Sequence, residues 1–205
     1  ALADVNFSVD EGEYVAIMGE SGSGKTTLLN ILAALDKPTG GQVLLEGRDT
    51  VHIPNGQMAA FRRDNLGFVF QDFNLLDTFS IQDKITNLLA KFPYEVSGGQ
   101  KQRTAVARAL ITSPKLVLAD EPTGALDSKS TGSLLRLFEQ INAEGQTILM
   151  VTHSARAASH AGRVLFIKDG VVYHQLNRGT MSDEELYQKI TETLTVLAAG
   201  GKENA

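Results

Sequence analysis

The chain has 205 residues, 42% of them hydrophobic, and carries a formal net charge of −5 at pH 7. This content suffices for one large domain with a sizeable core, and the acidic balance is atypical of proteins that bind nucleic acid without sequence preference. The absence of cysteine excludes disulfide scaffolds, thiolate metal sites and cysteine nucleophiles. No apolar run reaches the roughly 18 residues of a membrane span, and the first residues lack the features of a signal peptide.

Short apolar segments alternate with helical patterns along the chain. The predicted strands are, in chain order, residues 5–9, 14–18, 42–45, 66–70, 116–119, 147–151, 164–167 and 171–174. The predicted helices are residues 25–35, 81–90, 97–112, 128–143 and a C-terminal amphipathic helix over 180–199, which carries the capping box Ser182 and Glu185. This alternation indicates an α/β fold whose central sheet is mostly parallel and covered on both faces by helices.

A glycine-rich segment links the second predicted strand to the first predicted helix and matches the pattern G-x-x-x-x-G-K-[ST] in full. In such a loop several backbone N–H groups face one anion, and the N-terminus of the following helix adds its dipole. Lys25 is predicted to reach the β- and γ-phosphates of a nucleotide, and the Thr26 hydroxyl to bind Mg²⁺. The residues assigned to the nucleotide are Gly19, Glu20, Ser21, Gly22, Ser23, Gly24, Lys25, Thr26 and Thr27.

Two adjacent carboxylates, Asp120 and Glu121, follow the apolar strand 116–119. An acidic residue at the end of a buried strand can hold Mg²⁺ opposite the phosphates, and Glu121 is a candidate for orienting or deprotonating the attacking water. The structural alternative is a pair of turn residues before Pro122, but two neighbouring carboxylates are costly to keep charged without a cation. The loop and the carboxylates together predict a P-loop NTPase.

A second candidate anion site opens the helix at 97–112, where the chain reads Ser97, Gly98, Gly99 and Gln100. A Ser-Gly-Gly turn at a helix N-terminus offers free N–H groups and a dipole to an anion. On its own the segment is more typical of a capped helix with Ser97 as the N-cap. If two copies of the chain pair head to tail, the glycine-rich loop of one copy and the start of this helix in the other can hold the same nucleotide.

The order of these motifs resembles the nucleotide-binding domain of ATP-binding cassette (ABC) transporters. The matching segments are the Walker A loop (19–26), the Q-loop glutamine (Gln71), the signature motif (97–100), Walker B (116–120) with Glu121, the D-loop (125–127) and the switch histidine (His153). The strings 70–76, 121–128 and 151–154 look like those of the macrolide-export and lipoprotein-release group. Residues 94–103 are most similar to the bacitracin-type antimicrobial-peptide resistance ATPases.

The resemblance implies an ATPase that closes as a head-to-tail homodimer around two MgATP and drives an integral membrane permease from the cytoplasmic face of the membrane. It implies catalytic roles for Gln71, Glu121 and His153. Mg²⁺ is assigned to Thr26, Gln71 and Asp120, the ATP of the partner subunit to Ser97, Gly98, Gly99 and Gln100, and the dimer interface to Asp127. The branch implies export, detoxification or sensing of antimicrobial peptides such as bacitracin.

Two further expectations concern residues outside these motifs. His52, His160 and His174 have no partners at ligand spacing and are predicted to lie at the surface. Lys101, Arg103 and Arg108 form a basic helix face, which is more typical of solvation or contact with nearby phosphate than of DNA binding, so no nucleic-acid partner is expected.

The resemblance also predicts how the chain is divided. Residues 1–70 and 113–175 are expected to form the nucleotide-binding core with an antiparallel β subdomain, residues 71–112 a remnant of the helical signature subdomain, and residues 180–199 the C-terminal helix. Only the 25 residues 72–96 separate Gln71 from Ser97, where the family has several helices that dock the permease. We therefore expect family residues to be lacking near Asn87, together with the adenine-stacking aromatic that the family places upstream of Ala1.

Three alternative functions share part of this pattern with a transporter ATPase. An ABC-type ATPase of chromosome maintenance or translation shares the motifs but usually adds coiled coils, fused domains or basic surfaces. A small-molecule P-loop kinase accounts for residues 19–26 but not for Ser97–Gln100, Asp127 and His153 together. A nucleotide sensor that does not turn over is disfavoured because both Glu121 and His153 are present.

Overall fold

The computed structural model describes residues 2–71 and 97–200, which form a six-stranded sheet with helices on both faces and a separate two-stranded sheet. The strands are β1 (Tyr14–Gly19), β2 (Leu44–Leu45), β3 (Arg48–Asp49), β4 (Leu66–Phe70), β5 (Leu116–Asp120), β6 (Ile148–Val151), β7 (Arg163–Lys168) and β8 (Val171–Asn177). The helices are α1 (Lys25–Leu32), α2 (Asn55–Asn65), α3 (Gly98–Leu110), α4 (Ser128–Ala143), α5 (Ala155–Ala158) and α6 (Asp183–Gly200). Within these described ranges no helix has the length and apolar character needed to cross a membrane.

The large sheet has the strand order β4-β5-β6-β1-β7-β8. Its first five strands pair in parallel, and β8 pairs antiparallel with β7. β2 and β3 form the separate antiparallel pair. The predicted α/β architecture with a mostly parallel sheet and an antiparallel β element is therefore confirmed. Because neighbouring parallel strands end at the same edge of a sheet, β1, β5 and β6 deliver the residues that follow them to one place.

The core lies on both faces of the sheet, as the alternation along β1 shows. Tyr14, Ala16 and Met18 face the layer formed by α3, α4 and α6, whereas Val15 and Ile17 face α1. All five side chains are at most 3% exposed. A strand buried on both sides is an apolar run without polar alternation, which is the sequence pattern by which β1 was predicted.

The predicted strand at 5–9 is wrong. One isolated bridge, between Asp4 and Val171, lies just before the segment, and residues 5–9 themselves pair with no strand among the described residues. Val5, Phe7 and Val9 still pack against the α1 face of the core. One-sided packing of an extended segment produces the same apolar–polar alternation as a half-buried strand, so the pattern alone does not distinguish them.

Other boundaries differ in detail. α1 ends at Leu32 rather than at residue 35, only Leu44–Leu45 of the predicted strand 42–45 is a strand, and the C-terminal helix begins at Asp183 and extends to Gly200. β3, α2 and α5 were not predicted. Only Met58 and Phe61 of α2 are buried, so its apolar stripe is too sparse to show a helical period. The predicted helix 81–90 and the expectation about Asn87 lie outside the described residues.

Candidate functional site

The glycine-rich loop runs from the end of β1 to the start of α1. Gly22 and Gly24 have φ of +82° and +98°, values in the left-handed region that favours glycine. At Gly19 a Cβ atom would lie 2.4 Å from the Ile167 carbonyl oxygen. Among the described residues, no side chain caps α1 at its N-terminus. The first N–H groups of α1 therefore keep their capacity for an anion, as the motif predicts.

Lys25 folds back over this loop. Its Nζ donates hydrogen bonds to the carbonyl oxygens of Gly19 and Glu20, each at 2.7 Å. Partial burial lowers the pKa of Lys25, and the negative charges of Glu121 and Asp120 oppose that shift. The ammonium group therefore lies in the electrostatic field of both carboxylates. This is the position expected of a residue that connects the phosphate loop with a metal-binding edge of the sheet.

The loop also contains an unsatisfied donor. Ser23 Oγ is buried and makes no hydrogen bond within the described part of the chain. A buried hydroxyl without a partner is unfavourable, so this atom is suited to a ligand oxygen. Thr26 and Thr27, by contrast, are exposed at the start of α1. The donor set of the loop, with its helix end, its ammonium and its free hydroxyl, fits the phosphates of a nucleotide.

Asp120 ends β5, and Glu121 begins the turn that follows. Burial, followed by the charge of Glu121, raises the pKa of Asp120 above its usual value. A carboxyl group that is disfavoured as an anion in the free protein gains most from a nearby cation. Glu121 itself has a φ of +43°, in the left-handed region that non-glycine residues rarely adopt. Such backbone positions persist where surrounding contacts fix them.

The contacts that fix Glu121 come from the end of β6. Its main-chain N–H donates to the Val151 carbonyl oxygen at 2.9 Å. Its carboxylate accepts one hydrogen bond from Thr152 Oγ1 at 3.1 Å and another from His153 Nδ1 at 2.8 Å. The side chain of Glu121 is 16% exposed and that of His153 is 73% exposed. The pair therefore presents a partly buried carboxylate at the rim of the site, with an exposed imidazole beside it.

Thr152 is not among the site residues that the sequence predicts. It is completely buried, and its hydroxyl also accepts a hydrogen bond from the Ser154 main chain at 3.0 Å. The signal was its position between the apolar strand and His153, since a buried hydroxyl at a strand end needs a polar partner.

Gln71 follows β4 and lies against the turn after Glu121. A Cβ atom at Gly124 would be 3.1 Å from Gln71 Cδ and 3.2 Å from Gln71 Nε2. The glycine thus leaves room for the glutamine side chain on the turn that begins with Glu121. The structure brings Lys25, Asp120, Glu121, His153 and Gln71 to one edge of the sheet.

Ser97 and Gln100 form a capping box at the start of α3. Ser97 Oγ accepts from the Gln100 main-chain N–H at 3.3 Å, and Gln100 Oε1 accepts from the Ser97 N–H at 2.8 Å. Among the described residues no hydrogen bond or ion pair joins residues 97–100 to residues 19–27. Within one chain, the two candidate anion sites are separate.

Asp127 is the N-cap of α4. Its carboxylate accepts from the main-chain N–H of Ser130 at 2.9 Å and from the Ser130 hydroxyl at 2.8 Å. These hydrogen bonds, the main-chain one first, lower the pKa of Asp127. A Cβ atom at Gly99 would lie 2.5 Å from Ser130 Oγ, so α3 packs on α4 at the capping residues themselves.

The prediction that all three remaining histidines lie at the surface is wrong for His160. Its side chain is 11% exposed, with Nδ1 2.7 Å from Glu139 Oε1 and 3.5 Å from Asp183 Oδ2. These partners come from α4 and α6, distant in sequence, so spacing along the chain could not reveal them. His52 and His174 are exposed, as predicted.

A cavity of about 430 Å³ borders the glycine-rich loop, a size within the range of small-molecule sites. It is lined by residues 19–23, by residues 166–170 of β7 and its turn, and by Leu194 and Leu197 of α6. The loop is therefore bordered by open space on the side of the C-terminal helix.

Comparison with known proteins agrees with this geometry. A family model described as ABC transporter matches residues 2–124. The uncharacterized ABC transporter ATP-binding protein YvcR of Bacillus subtilis (strain 168) is 47% identical, with 96% of this chain and 86% of that protein covered. The bacitracin export ATP-binding protein BceA of Halalkalibacterium halodurans is 42% identical, with 99% of this chain and 90% of that protein covered.

Among solved structures, the chain is similar to a dimeric post-hydrolysis state of the ATP-binding cassette MJ0796 bound to ADP and Pi. The TM-score is 0.76 and the identity 36%, with 86% of this chain and 90% of that chain covered. The match to BceA extends over 231 positions, 26 more than the 205 residues of this chain. BceA therefore carries residues inside the matched region that this chain lacks.

Proposed function

The chain belongs to the ABC transporter family of ATP-binding proteins, and on this premise we propose that it hydrolyses ATP to power a membrane permease. The observation that carries the proposal is the arrangement at the end of β5 and β6. There Glu121 is held by His153 and Thr152, within the electrostatic reach of Lys25. A nucleotide-binding protein that only switches has no need of a carboxylate oriented in this way.

The phosphate loop supports MgATP as the substrate complex. The phosphates take the helix end of α1, the hydroxyl of Ser23 and the ammonium of Lys25, which exchanges its two loop carbonyl partners for phosphate oxygens. Thr26, Gln71 and Asp120 are the residues that would hold Mg²⁺, and the raised pKa of Asp120 favours a cation there. When bound, the ion neutralises charge on the β- and γ-phosphate oxygens.

The reaction needs a water aligned with the γ-phosphate. Glu121 orients that water and accepts its proton as the new oxygen–phosphorus bond forms and the bond to the β–γ bridging oxygen breaks. ADP leaves with the electron pair of that broken bond, and the proton passes from Glu121 to phosphate. His153 keeps Glu121 in place through its Nδ1 and lies beside the γ-phosphate.

We further propose that the complete site needs two chains. The start of α3 makes no hydrogen bond with the phosphate loop among the residues described, while Ser97 is exposed at a helix end with anion-binding capacity. A head-to-tail homodimer presents Ser97, Gly98, Gly99 and Gln100 to the ATP of the partner subunit, with Asp127 at the interface. The dimeric state of the similar MJ0796 cassette supports the pairing of two chains.

For the transported substrate we propose a peptide, and the support comes from one of the relatives. Similarity to BceA supports an antimicrobial peptide of the bacitracin type, exported, detoxified or sensed through a permease at the cytoplasmic face of the membrane. We assign the residues that BceA has in excess to the region of 72–96, between Gln71 and Ser97. We also propose that the chain is divided into a core of residues 1–70 and 113–175, a shortened helical part of residues 71–112, and a C-terminal helix of residues 180–199.

The proposal is tested by comparing the wild-type chain with Glu121→Gln and the control Glu144→Gln. Glu144 is an exposed carboxylate after α4, away from the candidate site. We expect wild type and Glu144→Gln to release phosphate from MgATP. Glu121→Gln is expected to bind ATP and lose at least 100-fold in kcat, a typical effect of removing a general base.

Two further measurements separate the parts of the proposal. With MgATP, Glu121→Gln should elute at twice the 22.1 kDa mass of one chain, whereas without nucleotide it should not. Deletion of the gene in its source cell should lower the bacitracin concentration that arrests growth, and the wild-type gene but not Glu121→Gln should restore it. Turnover by Glu121→Gln at the wild-type rate refutes the assigned base, and unchanged bacitracin sensitivity refutes the peptide substrate.

A further inference from the structure

Gln102 is a buried polar residue of α3 that the proposed mechanism does not use. It lies one turn after the start of the helix, and its side chain is 0% exposed. The buried positions of α3 include Gly99, Gln102, Ala105, Val106 and Ala109, which recur at helical spacing. A glutamine therefore occupies the face of the helix that otherwise carries small and apolar residues.

The amide of Gln102 joins two strand ends. Its Nε2 donates to the Phe70 carbonyl oxygen at 3.2 Å and to the Pro122 carbonyl oxygen at 2.9 Å. Phe70 immediately precedes Gln71, and Pro122 immediately follows Glu121. One side chain on α3 thus holds the main chain next to both residues that the proposed mechanism assigns to water and metal.

The strand ladder does not provide this link. The pairing of β4 with β5 ends at Phe70 and Asp120, so the residues beyond are outside the regular hydrogen bonds of the sheet. The position of the main chain beyond these two residues therefore depends on individual contacts rather than on the strand ladder. Since Phe70 and Pro122 are bonded to the same amide, a shift of α3 moves both turns together.

The acceptor atom of the amide argues against a purely space-filling role for the Gln102 side chain. Gln102 Oε1 is buried and has no hydrogen-bond partner in the part of the chain that the structure describes. A methionine or leucine would fill the same space without an unsatisfied carbonyl. The two donated hydrogen bonds are what a glutamine provides here and an apolar residue does not.

We propose that Gln102 is a positioning residue that aligns Gln71 and Glu121 with the helix that begins at Ser97. The proposal rests on the hydrolytic function proposed above for its effect on turnover. Its structural content is that α3 fixes the two turns through Phe70 and Pro122. Through this link, occupation of the start of α3 by the nucleotide of a partner subunit is transmitted to the residues that act on the bound water.

A matched control exists near the opposite end of β5. Gln146 Nε2 also donates to two main-chain carbonyl oxygens, those of Pro114 and Thr147, each at 3.1 Å. These residues precede β5 and β6, at the sheet edge opposite to Glu121. Gln146→Met and Gln102→Met therefore remove the same kind of bidentate amide contact, one far from the site and one beside it.

The experiment measures kcat and KM for ATP, together with amide hydrogen exchange, in wild type and both variants. Gln102→Met is expected to lower kcat at least tenfold with KM within twofold, since small misplacements of reacting groups cost one to two orders of magnitude. Peptides that cover residues 70–71 and 121–126 should exchange at least fivefold faster. Gln146→Met is expected to leave both kcat and these peptides unchanged.

The outcomes separate the two proposals. If the wild type hydrolyses ATP and Gln102→Met retains kcat within twofold, Gln102 is not a positioning residue. If the wild type does not hydrolyse ATP, the hydrolytic function fails, and faster exchange in residues 70–71 and 121–126 still establishes the link through Gln102. Unchanged exchange in those peptides refutes the link through Gln102. If Gln102→Met does not fold, Gln102→Glu takes its place, because it keeps the shape of the side chain without the N–H donors. It should show the same loss in kcat and the same faster exchange.

Discussion

Replacement of Gly99 by alanine tests whether α3 is seated on α4 as closely as the structure shows. The added Cβ would lie 2.5 Å from Ser130 Oγ and 2.8 Å from Ser130 Cβ, both closer than real Cβ contacts allow. Ser130 cannot turn away freely, because Asp127 accepts hydrogen bonds from its hydroxyl and its main chain. The helix must therefore shift, or the cap of α4 must open.

The magnitude follows from two opposing effects. Alanine in place of glycine in a helix gains at most about 1 kcal/mol, whereas forcing a methyl group into a packed contact costs about 1–3 kcal/mol. We expect Gly99→Ala to lower the free energy of unfolding by about 1–2 kcal/mol. Gly132→Ala in α4, where no described residue lies within 4 Å of the added Cβ, should raise it by about 0.5–1 kcal/mol.

Urea unfolding of Gly99→Ala, Ser130→Gly and the double variant measures the contact itself. Ser130→Gly removes both atoms that the new methyl group would meet, so it should restore much of the stability lost in Gly99→Ala. The coupling energy in this double-mutant cycle is expected to exceed about 1 kcal/mol, beyond the roughly 0.5 kcal/mol seen between independent sites. Additive effects would show that Gly99 and Ser130 are not in contact and would refute the reasoning.

Two further substitutions probe charge and packing around the site. Asp120→Asn should raise the melting temperature of the nucleotide-free protein at pH 7, because burial and the charge of Glu121 raise the pKa of Asp120. The ionised carboxylate therefore lowers the stability of the protein above its usual pKa of 3.8, and the gain in the variant should shrink as the pH falls towards that value. The gain should also disappear with saturating MgATP. Gly67→Ala should lower the free energy of unfolding by about 1–3 kcal/mol, because its Cβ would lie 2.5 Å from the Ala109 carbonyl oxygen. Gly56→Ala, whose added Cβ would have no described atom within 4 Å, is the control in the same urea titration. Equal stabilities of the two variants would contradict the packing of β4 on α3.

The elements that the sequence predicted well are those whose pattern has one physical cause. α4 has the predicted bounds, Ser128–Ala143, and a capping aspartate, a buried stripe and a glycine shortly after the helix agree there. β4 was likewise placed at Leu66–Phe70. The segment 5–9 failed because its alternation reports one-sided burial, which an extended chain without a ladder also has. Tertiary context decided between the two, and that context is absent from a local pattern.

The candidate site divides in the same way. The loop at 19–26 and the carboxylates after β5 could be located because each motif is contiguous in sequence. The contacts of Glu121 with Thr152 and of His160 with Glu139 could not, because each joins elements that only the folded chain brings together. Gln102 had a visible signal, a polar residue on an otherwise apolar and small-residue helix face, but the meaning of that signal depends on which carbonyls it reaches.

The end of β5 combines two features that each oppose stability, the left-handed backbone of Glu121 and the burial of Asp120 beside another carboxylate. Such a turn keeps its shape only if neighbouring elements fix it, and here the contacts come from two sides. Thr152 and His153 hold the carboxylate from β6, and Gln102 holds the following main chain from α3. Loss of any one contact leaves the others in place, so the fold should survive while the direction of the Glu121 side chain changes. Substitutions at these positions should therefore impair turnover well before they unfold the chain.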